Sequence, residues 1–225
     1  MTVAKVRILG AESTGKTTLA KDLAARYRTA WVPEFGRAYT EAGKGGFSEG
    51  LWVSEEFVII GTTQNRMEDE YVKKEPVKQA GLLVCDTDAL ATAVWHERYM
   101  GFWSKEVAAL SEGRDFALTL LAALDVPFVQ DGFRDGERLR RWMTARFQEV
   151  LESRNLPYHW IEGSREARLA QADQAYEDFL NSNRIGDFVA EKTSLSQLQA
   201  QIEQQKYQTD AQLRDRQGRL STLEA

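Results

Sequence analysis

The sequence predicts a doubly wound α/β domain with a parallel sheet of five strands, followed by a helical C-terminal tail. Apolar runs that suit strands alternate along the chain with longer stretches of helical periodicity. The run Leu-Leu-Val-Cys at 82–85 is uninterrupted, as expected for a strand buried on both faces of a parallel sheet. A glycine-containing loop joins the first strand to the first helix. Together these observations indicate strands and helices in layers around one sheet.

Each element follows from a local pattern. Apolar runs predict strands at residues 5–9, 30–33, 82–85, 116–121 and 158–161. Apolar residues recurring at three and four predict helices at about 16–28, 54–74, 91–99, 104–112, 139–151 and 165–180. Pro76 marks a connection, and the five glycines between Gly36 and Gly50 predict a loop.

The segment Gly-Ala-Glu-Ser-Thr-Gly-Lys-Thr at 10–17 matches a Walker A phosphate loop between a strand and a helix. Glycines at both ends let the backbone curl, so that successive N–H groups converge on one anion. Lys16 is expected to reach the β/γ-phosphates, and the Thr17 hydroxyl to ligate Mg²⁺. The predicted nucleotide-binding residues are Gly10, Glu12, Ser13, Thr14, Gly15, Lys16, Thr17 and Thr18.

Carboxylates follow two predicted strands at the edge of the sheet where ligands collect. Asp86 is expected to hold Mg²⁺ opposite Thr17, and Asp88 to serve catalysis or substrate binding, with helix capping as the alternative. Glu34 is placed to accept a proton from an attacking hydroxyl or to bind sugar hydroxyls, the alternative being a surface glutamate. The catalytic base stays open among these three carboxylates.

Residues near Glu34 are candidates for binding the acceptor. Phe35, Tyr39, Trp52 and Phe57 can form a flat apolar wall against which a ring stacks, with ordinary core packing as the alternative. Arg37 either pairs with Glu34 or contacts the acceptor.

Four arginines lie within eight residues near the start of a predicted helix. Positive charge is unfavourable at that end of a helix unless an anion approaches. We therefore predict a mobile lid in which Arg134 reaches the transferring phosphoryl group, while Arg140 and Arg141 belong to a solvated basic face.

Composition excludes several other functions. A formal net charge of −5 argues against a nonspecific grip on nucleic acid. The two histidines, His96 and His159, are too far apart in sequence to suggest a metal cluster or a catalytic triad. The single cysteine suits a reducing cytoplasm. We expect no membrane partner and no signal peptide, because apolar runs are short and the first strand begins near Met1.

Five stretches in this order resemble the nicotinamide riboside kinase domain of NadR-type proteins: residues 10–17, 31–39 with Glu-Phe-Gly-Arg, 85–88, 126–134 and 163–168. The resemblance covers about residues 3–182. It implies a P-loop, nucleoside-kinase-like fold with sheet order 2-3-1-4-5, ATP and Mg²⁺ as cofactors, and phosphorylation of the 5′-hydroxyl of nicotinamide riboside. It also implies that Arg134 lies in the lid and Arg168 near the adenine.

The resemblance leaves two alternatives open. Another nucleoside kinase or a nucleoside monophosphate kinase would use the same phosphate loop and carboxylates. A monophosphate acceptor would require further cations, for which Arg37 and Arg66 are candidates. A regulatory ATPase would instead act on a partner through the tail. NadR-type proteins usually carry an adenylyltransferase domain before the kinase, so neither a second enzymatic step nor repression is carried over.

Composition changes after about residue 190. The segment 191–225 holds eight of the fourteen glutamines and no tryptophan, phenylalanine or proline. Its leucines and one isoleucine follow an interrupted heptad pattern. We expect domains at 1–190 and 191–225, the second a helical tail that self-associates or docks on the core.

Overall fold

The computed structural model describes residues 3–43, 52–129, 137–182, 198–199 and 201–209. The five strands are β1 (Ala4–Leu9), β2 (Trp31–Val32), β3 (Leu82–Asp86), β4 (Leu118–Ala122) and β5 (His159–Ile161). The α-helices described within residues 3–182 are α1 (Lys16–Arg26), α2 (Phe35–Gly43), α3 (Ser54–Tyr71), α4 (Glu75–Ala80), α5 (Ala89–Met100), α6 (Lys105–Ala109), α7 (Arg140–Ser153) and α8 (Arg165–Ser182).

All five strands form one sheet in the order β2-β3-β1-β4-β5, and each strand pairs in parallel with its neighbours. The α/β class and the order 2-3-1-4-5 that the resemblance implies are therefore confirmed. β1 lies at the centre, so the loop that follows it opens between β3 and β4. Carboxyl ends of parallel strands meet at one edge, which places residues after β1, β2 and β3 side by side.

The sheet is buried on both faces along β3 and β4. On one face, Leu9 and Leu121 pack toward α5 and α7, whereas Leu83 and Cys85 pack toward α3 and α4. The opposite face carries fully buried aliphatic side chains: Val6, Ile8, Val84 and Leu120. Double burial explains why β3 and β4 read as continuous apolar runs instead of alternating ones.

Two sequence predictions were wrong at the element level. Residues 36–43, predicted as part of a loop, belong to α2. Its Gly36 lies beside α3, where an added Cβ would make an ordinary van der Waals contact with Ile60 Cγ2 at 3.5 Å. The connection at Pro76 contains the short helix α4, which has the proline in its first turn, where a missing N–H costs nothing.

The chain divides into two units, residues 1–177 and 178–225. Within the second, residues 201–209 are helical, with Ile202 and Tyr207 exposed. The predicted boundary at 190 and the self-association of the tail remain predictions. Among the described helices, none combines the length and apolar content needed to cross a membrane.

Candidate active site

The phosphate loop, residues 10–17, connects β1 to α1 in a conformation that requires its glycines. Gly10 has a φ of 145°, and an added Cβ would lie 3.1 Å from both the Ala122 carbonyl oxygen and Thr14 Oγ1. Gly15 caps α1 in the left-handed region at a φ of 81°. A side chain at either position would therefore displace the loop or strain its backbone.

Lys16 lies folded along this loop. Its Nζ donates to the Ala11 carbonyl oxygen at 2.8 Å, and Thr14 Oγ1 donates to the same oxygen at 2.9 Å. An ammonium group has three N–H donors, and the described contacts of Lys16 use one. The side chain lines the cavity, so its remaining donors are available to phosphate oxygens.

Two buried arginines hold the outer side of the loop. Arg140 Nη2 donates to the carbonyl oxygens of Ser13 at 3.2 Å and Val126 at 2.8 Å. Arg168 Nη1 donates to the Thr14 carbonyl oxygen at 2.9 Å, and its Nη2 pairs with Asp125. Because arginines bind these carbonyl oxygens, the loop keeps its N–H groups for an anion on the other side.

Thr17 and Asp86 face each other at the start of α1 and the end of β3. Thr17 Oγ1 donates to Asp86 Oδ2 at 2.5 Å. Asp86 is 1% exposed, and its Oδ1 has no hydrogen-bond partner among the described residues. Burial raises the pKa of Asp86, whereas Lys16 and the Thr17 hydroxyl lower it. A buried carboxylate oxygen beside a hydroxyl suits a hard cation such as Mg²⁺.

The described residues contain no cluster of three or more His, Cys, Asp or Glu side chains arranged to hold a metal. Mg²⁺ typically uses one or two protein carboxylates and completes its shell with substrate phosphates and water. Thr17 and Asp86 fit that donor set, whereas an all-protein metal centre has no support in the part of the chain described.

Glu34 follows β2 and lines the same cavity as Lys16. Burial raises the pKa of Glu34 to about 7, because the ionised carboxylate loses water; Asp86 and Glu12 raise it further, while Lys16 and Arg37 oppose the shift. A carboxylate with a pKa near 7 can accept a proton at neutral pH and release it again. Glu34 is therefore a candidate proton acceptor in the lining of this cavity.

Four aromatic rings form a wall of the cavity. Trp52, Phe57, Trp95 and Tyr99 all line it, and the ring centroid of Trp52 lies 5.1 Å from that of Phe57 and 5.2 Å from that of Tyr99. Trp95 and Tyr99 are one helical turn apart on α5 and are stacked, with centroids 6.1 Å apart. This aromatic wall offers apolar ring surface in the same cavity as the phosphate loop.

Arg98 links the aromatic wall to the loop. Its Nη1 donates to Glu12 Oε1 at 3.0 Å, and its side chain is 2% exposed. The guanidinium carbon lies 4.8 Å from the Trp95 ring centroid and 4.7 Å from that of Tyr99. A buried ion pair and two cation–π contacts therefore fix the wall relative to the loop.

Comparisons with known proteins agree with this geometry. The AAA domain family matches residues 5–168, from β1 into α8. The chain belongs to this AAA domain family. The AAA domain also shares 31% identity over 163 residues with the trifunctional NAD biosynthesis/regulator protein NadR of Escherichia coli (strain K12). That match covers 71% of this chain and 38% of the relative, so the chain spans less than half of the relative's length. The sequence resemblance to NadR-type proteins is thus confirmed as a relationship.

Solved structures show the same fold. A crystal structure of NadR protein in complex with NR superposes on this AAA domain with a TM-score of 0.66, 22% identity, and coverage of 79% of this chain and 51% of that chain. A crystal structure of NadR protein in complex with NAD and AMP-PNP gives a TM-score of 0.64, 21% identity, and coverage of 80% and 50%. At these identities the likeness establishes the fold.

Most of the predicted site residues lie around one cavity of the AAA domain. Arg37 lines it and pairs with Glu41, and Trp52 belongs to the aromatic wall. Tyr39 lies behind Trp52, with its hydroxyl 3.2 Å from Glu56 Oε1. Of the predicted loop residues, the following line the cavity: Glu12, Ser13, Thr14, Gly15, Lys16, Thr17 and Thr18.

Other predicted residues lie elsewhere. Asp86 and Asp88 are each 1% exposed, and neither is among the residues that line the cavity. Arg168 lies against the outer side of the loop, and its predicted place near the adenine remains a prediction. The assignment of Arg140 to a solvated face was wrong, because it is 8% exposed and bonded to the loop. Arg134 lies outside the described residues.

Sequence reasoning missed three contributors to the site. Trp95 and Tyr99 were interpreted only as apolar helix positions, although their spacing of four places both on one face of α5. No sequence pattern indicated a role for Arg98, because its partner Glu12 is 86 residues away in the sequence. Long-range pairs of this kind become visible only when the sheet order is known.

Proposed function

We propose that this chain is an ATP-dependent kinase that phosphorylates the 5′-hydroxyl of nicotinamide riboside to give nicotinamide mononucleotide. The observation that carries the proposal is a single cavity that contains a phosphate loop, the carboxylate of Glu34 and the aromatic wall. The similarity to NadR, one of whose structures holds NR and another AMP-PNP, supports the choice of acceptor and donor.

On the donor side, the loop N–H groups and Lys16 bind the phosphates of ATP. Phosphoryl transfer proceeds mainly by positioning and by neutralisation of charge on the transferring group. Lys16 moves from the Ala11 carbonyl oxygen toward the β/γ-phosphates and so supplies positive charge. Thr17 and Asp86 would hold Mg²⁺, which supplies further charge neutralisation when bound with the nucleotide.

On the acceptor side, Glu34 accepts the proton of the attacking hydroxyl. The hydroxyl oxygen forms a bond to the γ-phosphorus as the bond to the bridging oxygen of ADP breaks, and the proton passes to Glu34. Of the three carboxylates left open by the sequence, Asp86 is bonded to Thr17 and Asp88 lies outside the cavity lining. Glu34 is therefore our choice for the base.

The charge distribution of the cavity favours a nucleoside over a nucleoside monophosphate. Among the described lining residues, the cations are Lys16 and Arg37. Arg66, the other candidate for an acceptor phosphate, is 66% exposed, pairs with Glu70 and does not line the cavity. The nicotinamide ring of the riboside is itself a cation, and a cation is attracted to the faces of aromatic rings such as those of the aromatic wall.

We also propose a cytoplasmic setting, supported by the single, buried Cys85, which has no partner for an internal disulfide. The tail, residues 191–225, is proposed as a helical segment for association, supported by its helix at 201–209.

The test is an acceptor panel. The protein is incubated with Mg²⁺ and γ-labelled ATP together with nicotinamide riboside, nucleosides or nucleoside monophosphates, and the labelled products are separated. Label on nicotinamide riboside supports the proposal. Label on thymidine monophosphate or another acceptor instead would contradict the choice of substrate, and hydrolysis with no labelled acceptor would favour a regulatory ATPase.

A further inference from the structure

The turn after β3 contains an unusual backbone conformation. Thr87 has a φ of 77°, in the left-handed region that β-branched residues rarely adopt. Its N–H donates to the Ile8 carbonyl oxygen at 3.1 Å, and the residue lines the cavity. Thr87 separates Asp86, which accepts from Thr17, from Asp88, which begins α5. Strain at this turn therefore lies next to the residues proposed to hold Mg²⁺.

Both oxygens of Asp88 are used away from the cavity. Oδ2 pairs with Arg7 Nη1 at 2.7 Å, and Oδ1 accepts the Ala91 N–H of α5 at 3.0 Å. Arg7 is 3% exposed and is anchored across the sheet, where its Nε donates to Thr119 Oγ1 at 2.9 Å. Asp88 is thus fixed from β1 and from α5 at once.

We infer that Arg7 and Asp88 form a buried brace that holds the strained turn at Thr87 and so positions Asp86 toward Mg²⁺ and the nucleotide. A residue in the left-handed region persists only where its surroundings hold it there. Without the brace, Thr87 relaxes toward negative φ, and the backbone on both sides of it rotates. The Asp86 carboxylate then loses its position opposite Thr17. Asp88 is therefore a positioning residue.

This inference rests on the proposed function only for the binding of Mg²⁺ with a nucleotide. Its test is the double variant R7M/D88N, which removes both buried charges together, while Asn keeps an oxygen for the Ala91 N–H. The dissociation constant of AMP-PNP is measured by calorimetry with Mg²⁺ and again with EDTA. The brace predicts a rise of about tenfold or more with Mg²⁺, as for residues that orient metal ligands, and little change with EDTA.

The same variant in a T87G background tests the link to the turn. Glycine adopts a positive φ without strain, so loss of the brace leaves the turn in place. We expect R7M/D88N to raise the Mg²⁺·AMP-PNP dissociation constant less than about threefold when residue 87 is glycine. The inference would be overturned if R7M/D88N raised the dissociation constant equally with threonine and with glycine at residue 87. It would also be overturned if the affinity for AMP-PNP fell equally with Mg²⁺ and with EDTA.

A matched control removes another ion pair of α5. R146M/E97Q removes the ion pair in which Arg146 Nε lies 2.6 Å from Glu97 Oε2. This variant should leave Mg²⁺·AMP-PNP binding unchanged. If R7M/D88N does not fold, T119V replaces it, because this variant removes only the hydrogen bond from Arg7 Nε. The dissociation constant of AMP-PNP with Mg²⁺ should then rise by a smaller factor, again with little change in EDTA.

Amide exchange separates failure of this inference from failure of the proposed function. The exchange rate of the residue 87 amide, measured without nucleotide, should rise in R7M/D88N and rise less in the T87G background. An unchanged rate in R7M/D88N overturns the brace. Neither amide exchange nor AMP-PNP calorimetry uses an acceptor. Both measurements therefore still test the brace if the acceptor panel identifies a substrate other than nicotinamide riboside.

Discussion

At the scale of single residues, Glu34 is the group on which the proposed chemistry depends most. It lines the cavity together with Lys16, and burial raises its pKa to about 7. A surface glutamate at a strand end, the alternative interpretation of the sequence, would keep its carboxylate hydrated and its pKa near the ordinary value. The proposed base and the phosphate loop therefore line the same cavity.

Glu34→Gln removes the proposed base while keeping the size of the side chain. We expect kcat to fall by about 10²- to 10⁴-fold, the usual contribution of general base catalysis. In the wild type, kcat/KM should rise as pH increases through about 7, because the carboxyl group must be ionised to accept a proton. The variant should lack this rise.

The measurement is steady-state phosphorylation between pH 5.5 and 9, with Glu75→Gln, an exposed glutamate of α4, as control. Activity of Glu34→Gln within threefold of the wild type would assign the proton transfer to another group.

Residues within a contiguous motif could be predicted from sequence, and residues defined by contacts across the fold could not. The spacing in 10–17 fixes the glycines, Lys16 and Thr17, because loop, strand and helix are adjacent in the chain. Asp86 and Asp88 both follow the strand predicted at 82–85, yet the side chain of Asp88 turns to Arg7, a partner 81 residues away. The sequence places Asp88 shortly after a strand but does not show which way its carboxylate points.

At the scale of elements, periodicity predicted the long helices and the central strands, and it failed at α2 and α4. Gly36 indicated a loop, whereas the structure places it in α2, beside Ile60 of α3. Phe35 N–H donates to Gln64 Oε1 of α3 at 2.9 Å, so a tertiary contact supplies a bond at the start of α2. Helices that depend on such contacts leave a weak local signal.

The start of α7 supports the phosphate loop through Arg140. Replacing Arg140 by Met leaves the Ser13 and Val126 carbonyl oxygens without this donor, which costs about 1–3 kcal/mol. We expect the dissociation constant of AMP-PNP to rise about tenfold, since the loop loses its outer contact.

The adjacent Arg141 is exposed and gives a matched control, because Arg141→Met removes the same charge from the same helix. Calorimetric titration of both variants distinguishes them. Equal affinities in Arg140→Met and Arg141→Met would show that Arg140 does not support the loop.

At the scale of the whole molecule, the sheet order explains how the residues of the proposed ATP site and the proposed acceptor site come to lie near one cavity. β1 brings the phosphate loop to the centre, β3 places Asp86 beside it, and β2 at the edge places Glu34 next to β3. α5, which follows β3, supplies half of the aromatic wall. The proposed donor and acceptor sites therefore both result from this strand order.

Ligand binding at this cavity should stabilise the whole fold. Mg²⁺·AMP-PNP at 100 times its dissociation constant adds about 2.7 kcal/mol to the free energy of unfolding. For a domain of this size the melting temperature should rise by about 5–10 °C, as measured by thermal unfolding. Lys16→Ala should fold and show a much smaller rise. An equal rise in melting temperature for the wild type and for Lys16→Ala would show that the nucleotide binds away from the phosphate loop.

The central claim is transfer of phosphate from ATP to the 5′-oxygen of nicotinamide riboside, and ³¹P NMR of the reaction mixture tests it most directly. The account predicts a phosphomonoester resonance coupled to the two 5′-methylene protons, growing as ATP is converted to ADP, and absent with Lys16→Ala. Unchanged ATP, or release of inorganic phosphate with no ester resonance, would contradict the account.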